Sequence, residues 1–149
     1  MTLPTDKIGK TYPPHVYLVG REKIREYAAA VGERGALYND PQAARAAGYP
    51  DVVAPPMFVV VYCAASFQHA LADPELGIDL AHLVHGAQRF VWGEPVVAGD
   101  EITTTLEVTD IAMKAGFRFD TFRTTSLNQR GELTCTGEWS TIVRGQEER

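Results

Sequence analysis

The chain is poor in cysteine, carries no concentration of basic charge and has no long apolar run, and each shortage removes a class of protein. Cys63 and Cys135 are its two cysteines. They stand in apolar surroundings and match no metal-ligand spacing, as expected of two buried thiols in a reducing compartment. Against 19 acidic side chains there are 14 Lys and Arg, a formal net charge of -5, and the basic ones are scattered. Their densest group, Arg21, Lys23 and Arg25, fits the solvated face of a helix. A nucleic-acid binder shows a basic footprint, so nucleic acid is disfavoured as a partner. The longest apolar run, centred on residues 57–65, covers about ten residues with its neighbours, too few to span a bilayer. Residues 1–12 lack the basic-then-apolar run of a secretion signal, which together with the thiols points to a cytosolic protein that does not enter a membrane. There is no Gly-rich phosphate loop, no Ser-centred nucleophile elbow and no His/Cys/Asp/Glu grouping at ligand spacing, so neither a metal nor a cofactor is expected.

What is present describes one soluble domain over residues 1–149, 45% hydrophobic and 22% charged, without repeat or linker. That length buries a core without staples. Pro4, Pro13 and Pro14 make the start an extended lead-in, with a short strand at His15, Val16, Tyr17 and Leu18 before Gly20. Ile24, Tyr27, Ala28 and Val31 recur at helical spacing and Gly32 closes that helix. Residues 33–40 are expected to be a loop. Asp40 offers an N-cap and Pro41 a pre-set first turn, so a short helix over 41–47 should end at Gly48.

Pro56 then opens a run, Met57, Phe58, Val59, Val60, Val61, Tyr62, Cys63, Ala64, Ala65, Ser66 and Phe67, that is apolar on nearly every face. Periodicity alone does not separate a buried strand from a buried helix here. The Pro start and the continuation through Gln68, His69, Ala70 and Leu71 favour a long helix surrounded by protein. A loop over 73–79 leads to four candidate strands, 83–92, 101–113, 117–127 and 132–143. Ile102, Thr104, Leu106 and Val108 alternate with Thr103, Thr105, Glu107 and Thr109, the mark of an antiparallel sheet with one wet face. Lys114-Ala115-Gly116 and Asn128-Gln129-Arg130-Gly131 are hairpin turns. Phe117, Phe119 and Phe122 break strict alternation and predict a bulge near Asp120. Helices first and a meander second make an α+β fold, in which a curved antiparallel sheet wrapped round the long apolar helix buries both apolar surfaces.

Several stretches then resemble a known family. Ala54-Pro55-Pro56-Met57-Phe58 before the apolar helix, and a strand followed by Pro95, Val96, Gly99 and Asp100, look like the hot-dog fold of MaoC-like (R)-specific enoyl hydratases and 3-hydroxyacyl dehydratases. His85-Gly86-Ala87-Gln88-Arg89-Phe90, Asn39-Asp40-Pro41, Ala44 to Tyr49 and Ile142-Val143-Arg144-Gly145 resemble the FAS1-like, N-terminal dehydratase branch. The likeness is closest to the substrate-binding (HadA-type) subunit of the heterodimeric (3R)-hydroxyacyl-ACP dehydratase of type II fatty-acid synthesis.

The resemblance implies chemistry. Active members carry an Asp and, five positions later, a His, which add water to or remove it from the double bond beside a thioester carbonyl. Such general acid–base work needs both groups within hydrogen-bond reach of one water. The thioester oxygen is held by backbone N–H groups at the start of the central helix. Here no histidine occurs between His15 and His69. Matching Asp40-Pro41 to the family's Asp-Pro step puts Glu33 at the Asp position and Tyr38 at the His position. Glu can act as a base, but a phenol ionising near pH 10 does not easily shuttle protons at pH 7.

The catalytic candidates are therefore Glu33, Asp40 and Tyr38, with Asp40 first a helix cap. Pro55, Pro56, Met57, Phe58, Tyr62, His85 and Gln88 are the candidate substrate-binding residues, with His85 and Gln88 facing the helix start. Phe58, Tyr62, Phe67 and Leu71 could line an acyl channel, although each also suits plain core. His15, His69, His82 and Asp100 are expected to be structural.

The leading expectation is a non-catalytic, substrate-binding subunit for acyl-ACP or acyl-CoA, dimerising through its sheet with a MaoC-like catalytic chain. The alternatives are a homodimeric hydratase using Glu33 or Asp40, an acyl-thioester-binding or structural homodimer without turnover, and a hot-dog thioesterase.

Overall fold

The computed structural model describes residues 2–144; the ends of the expected domain and Gly145 of the family-like motif lie outside the described residues. Five antiparallel strands form one sheet: β1 His15–Leu18, β2 Leu83–Trp92, β3 Glu101–Lys114, β4 Phe117–Leu127 and β5 Leu133–Arg144, in the order β1-β3-β4-β5-β2. Helices α1 Arg21–Ala30, α2 Ala36–Asn39 and α3 Pro41–Ala46 precede the central helical run. The Asp40 carboxylate accepts from Gln42 N–H at 2.8 Å and caps α3 as expected, and Gly48, φ 95°, follows its end. Residues 33–40 are not all loop, however. The Asn39 side chain donates to Glu33 O and Gly35 O and folds 36–39 into the single turn α2.

The central run over 56–71 is helical throughout, but alternates between tight and ordinary turns. A 3-10 turn, Pro56–Phe58, leads into α4 Val59–Cys63, a second 3-10 turn, Ala64–Ser66, and α5 Phe67–Leu71. The Ser66 hydroxyl donates to Cys63 O at 2.6 Å, competing with the backbone ladder where the run tightens. Phe58, Val59, Tyr62, Cys63 and Ala70 bury their side chains against Ile102, Leu106, Val108, Ile111, Phe122, Cys135 and Trp139 of the sheet. Tyr17 and Tyr27 pack edge-on to Phe58, with centroids 6.3 and 5.4 Å away.

The predicted bulge is on the other strand. In β4 alternation is strict, with Arg118, Asp120, Phe122, Thr124 and Ser126 all buried. Phe117 and Phe119 lie on the opposite face, where Lys114 Nζ covers the Phe119 ring at 5.7 Å, so three phenylalanines do not mean three core residues. The register instead shifts at Thr109 of β3, between Val108↔Phe122 and Asp110↔Thr121, which turns Ile111 inward in place of Asp110. A second shift, at Gly86, falls between His85↔Thr141 and Ala87↔Ser140. It brings His85 and Gln88, three positions apart, to the same face of the sheet.

Asp100 is buried and closes the turn before β3, taking hydrogen bonds from Val97 N–H and the Gln129 side chain, each at 2.9 Å. At the far end the lead-in is fastened to the loop after the central run: Tyr12 Oη and Lys10 Nζ both bind Asp73, and Lys7 and Lys10 bind Glu75.

Candidate functional site

Two consecutive prolines set the geometry at the start of the central run. Neither carries an amide hydrogen, so the first donor along it is Met57 N–H, while the Phe58 amide turns back to Pro55 O at 2.8 Å. The loop leading in is pinned on both sides: Val53 N–H reaches Leu37 O at 2.9 Å and Ala54 N–H reaches Val96 O at 2.8 Å. Trp92, at the end of β2, donates its indole N–H to Pro56 O at 2.8 Å. Gly93 follows it because the chain crosses β5 too closely for any side chain; a Cβ there would stand 2.1 Å from Leu133 O.

Between these pieces opens a cleft of about 240 Å³. Its walls are largely apolar, built from Leu37, the Pro55-Pro56 step, Phe58 and Trp92. The polar residues in its lining are Tyr38, Tyr49, Tyr62, Thr134 and Glu94, the one carboxylate among them. Below the cleft the sheet presents hydroxyls where an apolar floor would be usual. Thr134 donates to Ser126 O at 3.1 Å, the Ser126 and Thr104 hydroxyls are 2.8 Å apart, and Trp139 donates to Thr124 at 2.9 Å. Each of these buried hydroxyls has a partner, so the row adds no unmet polar group to the core. Burial pushes the Tyr62 phenol up, so it stays a neutral hydroxyl. Burial also raises the Cys63 thiol, and burial together with nearby Cys63 pushes Cys135 up to about 12. Both sulfurs are therefore packing groups rather than nucleophiles.

The predicted residues divide sharply by place. Pro55, Pro56, Phe58, Tyr62 and Tyr38 meet in the cleft. Met57 turns its side chain out, 39% exposed, and is not part of the cleft lining. Glu33 is outside the lining, and its Oε1 accepts from Gly35 N–H at 3.1 Å. Gly35 joins it to Tyr38: a Cβ there would lie 3.2 Å from the Tyr38 ring and 3.3 Å from Glu33 Oε1. Asp40 is exposed and caps α3. His85 does not face the helix start; it stands edge-on to Trp139 at 5.9 Å, beside Phe67 and Leu71 near the other end of the run. Gln88 shares that face of β2 and is exposed.

Leu37, Tyr49, Trp92, Glu94 and Thr134 are among the cleft residues that sequence reasoning missed. Gly93 beside Trp92 is the one local signal of a close crossing, and nothing in the sequence near Thr134 ties β5 to a helix start more than seventy positions earlier. Chemically, the cleft suits an apolar group that carries a small polar head.

Comparison with known proteins agrees with this architecture. The model of the family described as "FAS1-like, dehydratase domain region" matches residues 6–137. A UPF0336 protein of Saccharopolyspora erythraea is 44% identical over 149 residues, which is 99% of this chain and 96% of that protein. Among solved structures, a "MaoC-like dehydratase" superposes with a TM-score of 0.87 at 31% identity; it covers 96% of this chain, which spans only 44% of that larger protein. A chain of the C-terminally truncated HadBC (3R-hydroxyacyl-ACP dehydratase) complex of Mycobacterium tuberculosis superposes with a TM-score of 0.77 at 31% identity, covering 94% of this chain and 99% of its own length. The α+β hot-dog architecture expected from the sequence is therefore the one present. No helix among the described residues is long and apolar enough to cross a membrane.

Proposed function

The chain belongs to the FAS1-like dehydratase-domain family, and from that premise we propose that it is the substrate-binding, non-catalytic subunit of a heteromeric (3R)-hydroxyacyl-thioester dehydratase. One observation carries the reading. The cleft at the start of the central run is largely apolar and holds Tyr38, the residue that the family resemblance sets at the histidine position of active members, while Glu33, at the resemblance's aspartate position, is bound to the Gly35 amide and lies outside the cleft lining.

Water addition across an enoyl thioester needs a base and an acid on one water. In this reading both come from a MaoC-like partner chain, and this chain supplies the acyl wall. Phe58, Tyr62 and Trp92 enclose the chain of the substrate, and Met57 N–H, with Tyr38, meets its polar head. The HadBC relative is itself a complex, which supports a two-chain assembly here. The exposed edge of β2 is the surface that such a partner would extend.

The test is hydration of crotonyl-CoA and of a longer (2E)-enoyl-CoA by the purified chain, alone and coexpressed with a MaoC-like chain bearing Asp and His. Turnover only in the presence of the second chain is the expected result. Turnover by this chain alone overturns the reading and favours a self-sufficient hydratase, for which Glu94 joins Glu33 and Asp40 as a candidate base because it alone among carboxylates lines the cleft. Thioester binding without turnover in either setting would leave an acyl-binding dimer.

A further inference from the structure

Across the face of the sheet turned away from the central run, one row of side chains alternates in charge. Glu107 of β3 is in register with Arg123 of β4, Arg123 with Glu138 of β5, and Glu138 with Arg89 of β2. Strand order makes these four residues successive neighbours, acid and base in turn. Phe90, next in β2, turns inward with its ring centroid 5.0 Å from that of Trp139, which leaves Arg89 on the outer face. All four side chains reach solvent, and Arg123 Nη1 lies 3.9 Å from Glu107 Oε2. The rows on either side carry no charge on β4, β5 or β2: Thr125, Thr136 and Val91 form one, Thr121, Ser140 and Ala87 the other.

The two ends of the row differ. At β3 the lead-in closes it, with Thr11 bridged to Glu107. At β2 it stops at the edge of the sheet. Arg123 and Glu138 each have an opposite charge on both sides, whereas Arg89 has one on one side and the open edge on the other. Arg89 is exposed and makes no side-chain hydrogen bond or ion pair among the described residues.

A strand added to this edge decides what Arg89 meets. Opposite charges on adjacent strands attract, and like charges directly opposite repel. Leu83–Trp92 contains Arg89 as its one Lys or Arg and has no Asp or Glu. A second copy would pair its β2 antiparallel to this one about a two-fold axis, each residue facing another from the same strand. No register of that pairing brings a carboxylate to Arg89, and the register centred on Arg89 sets two guanidinium groups against each other. A strand from a different chain is free of this constraint. The inner face of β2 offers no rival carboxylate: there Trp92 borders the cleft, and His85 rims a second hollow of about 240 Å³ beside Phe67 and Trp139.

We propose that Arg89 selects the partner: the strand that extends β2 belongs to a different chain and sets an Asp or Glu opposite Arg89, continuing the alternation by one step. The proposal rests on the two-chain reading above and adds the feature by which the right partner is told from a second copy. That partner gains an opposite-charge pair at Arg89, whereas a second copy meets like charge or none. The pair sits in solvent at the rim, so it governs choice of partner more than overall affinity.

The experiment measures association by sedimentation, for the full chain alone and with a coexpressed MaoC-like chain bearing Asp and His. Alone, the wild type and Val91→Lys should sediment alike, because β2 does not pair with itself. With the second chain, Arg89→Gln should weaken association about twofold to fivefold and Arg89→Glu further, each at the wild-type urea midpoint. Replacing the partner's opposing carboxylate by Lys should restore pairing with Arg89→Glu and weaken it with the wild type. A wild-type self-dimer that Val91→Lys dissociates overturns the proposal, since β2 then accepts a second copy. A heteromer indifferent to both Arg89 variants also overturns it and leaves the two-chain reading in place. If the wild type neither joins the MaoC-like chain nor depends on it for turnover, both fall.

Discussion

Single residues decide where this fold is strained and where its chemistry can sit. The hairpin between β3 and β4 closes with Lys114 paired to Phe117, leaving Ala115 and Gly116 as a two-residue turn with φ of 51° and 79°. A primed turn of this kind favours Asn-Gly, and an alanine held there carries roughly 1 kcal/mol of left-handed strain. Ala115→Asn should therefore stabilise the fold by about 0.5–1 kcal/mol, read as a higher urea midpoint at unchanged m-value. Gly137 is the opposite case. Its Cβ would meet the Thr124 hydroxyl at 2.5 Å and the Trp139 indole nitrogen at 2.6 Å. Gly137→Ala must displace a buried, hydrogen-bonded tryptophan and should cost about 1–3 kcal/mol in the same unfolding measurement. Glu33 separates structural from catalytic readings. Removing a working general base costs about 100-fold or more in rate, whereas Glu33→Gln, whose amide oxygen can still accept from Gly35 N–H, should leave turnover of the proposed two-chain dehydratase within about twofold.

Elements show which patterns a sequence carries and which it hides. The period-two run of β3, the helical spacing of Ile24, Tyr27, Ala28 and Val31, and the Asp40-Pro41 cap are local signals, and the strand and helices they predict are in place. The bulge lies on a different strand from the one the phenylalanines predict because aromatic character does not mean burial: Phe117 is 40% exposed, and the extra residue belongs to β3, where Thr109 looks like any other strand threonine. Half of the cleft was legible, since Pro55, Pro56, Phe58 and Tyr62 are contiguous on one run. The other half, Trp92, Glu94 and Thr134, comes from strands that meet that run only in three dimensions. The lead-in before β1 is a further element whose role appears only on folding. Burial alone would raise the Asp73 carboxyl, but hydrogen bonds from Lys10 and Tyr12 outweigh it and hold the group at about 2. An unfolded aspartate titrates near pH 3.9. This fastening therefore contributes stability that is complete above about pH 4 and disappears as pH falls through about 2. Asp73→Asn should flatten that part of the acid-unfolding curve, followed by the urea midpoint at stepped pH from 5 to 2.

At the scale of the whole molecule the sheet is finished on one flank and open on the other. β1, with four residues, ends one edge, whereas the other edge is β2, with ten residues, hydrogen-bonded to β5 alone. Val84, Val91 and Trp92 of β2 are 57%, 55% and 49% exposed. A long edge bearing such side chains is a template for another strand, and it is also the side on which both cavities open: Trp92 borders the cleft and His85 the hollow. A strand added along β2 would complete the backbone pairing and screen the cavities from water in one step, which joins assembly to substrate binding. Val91→Lys places a charge on that edge without touching the core. It should leave the unfolding midpoint of the isolated chain nearly unchanged and weaken association with the proposed MaoC-like partner in sedimentation. Association undiminished by the lysine would remove β2 from the interface and leave each cavity to be closed by this chain alone.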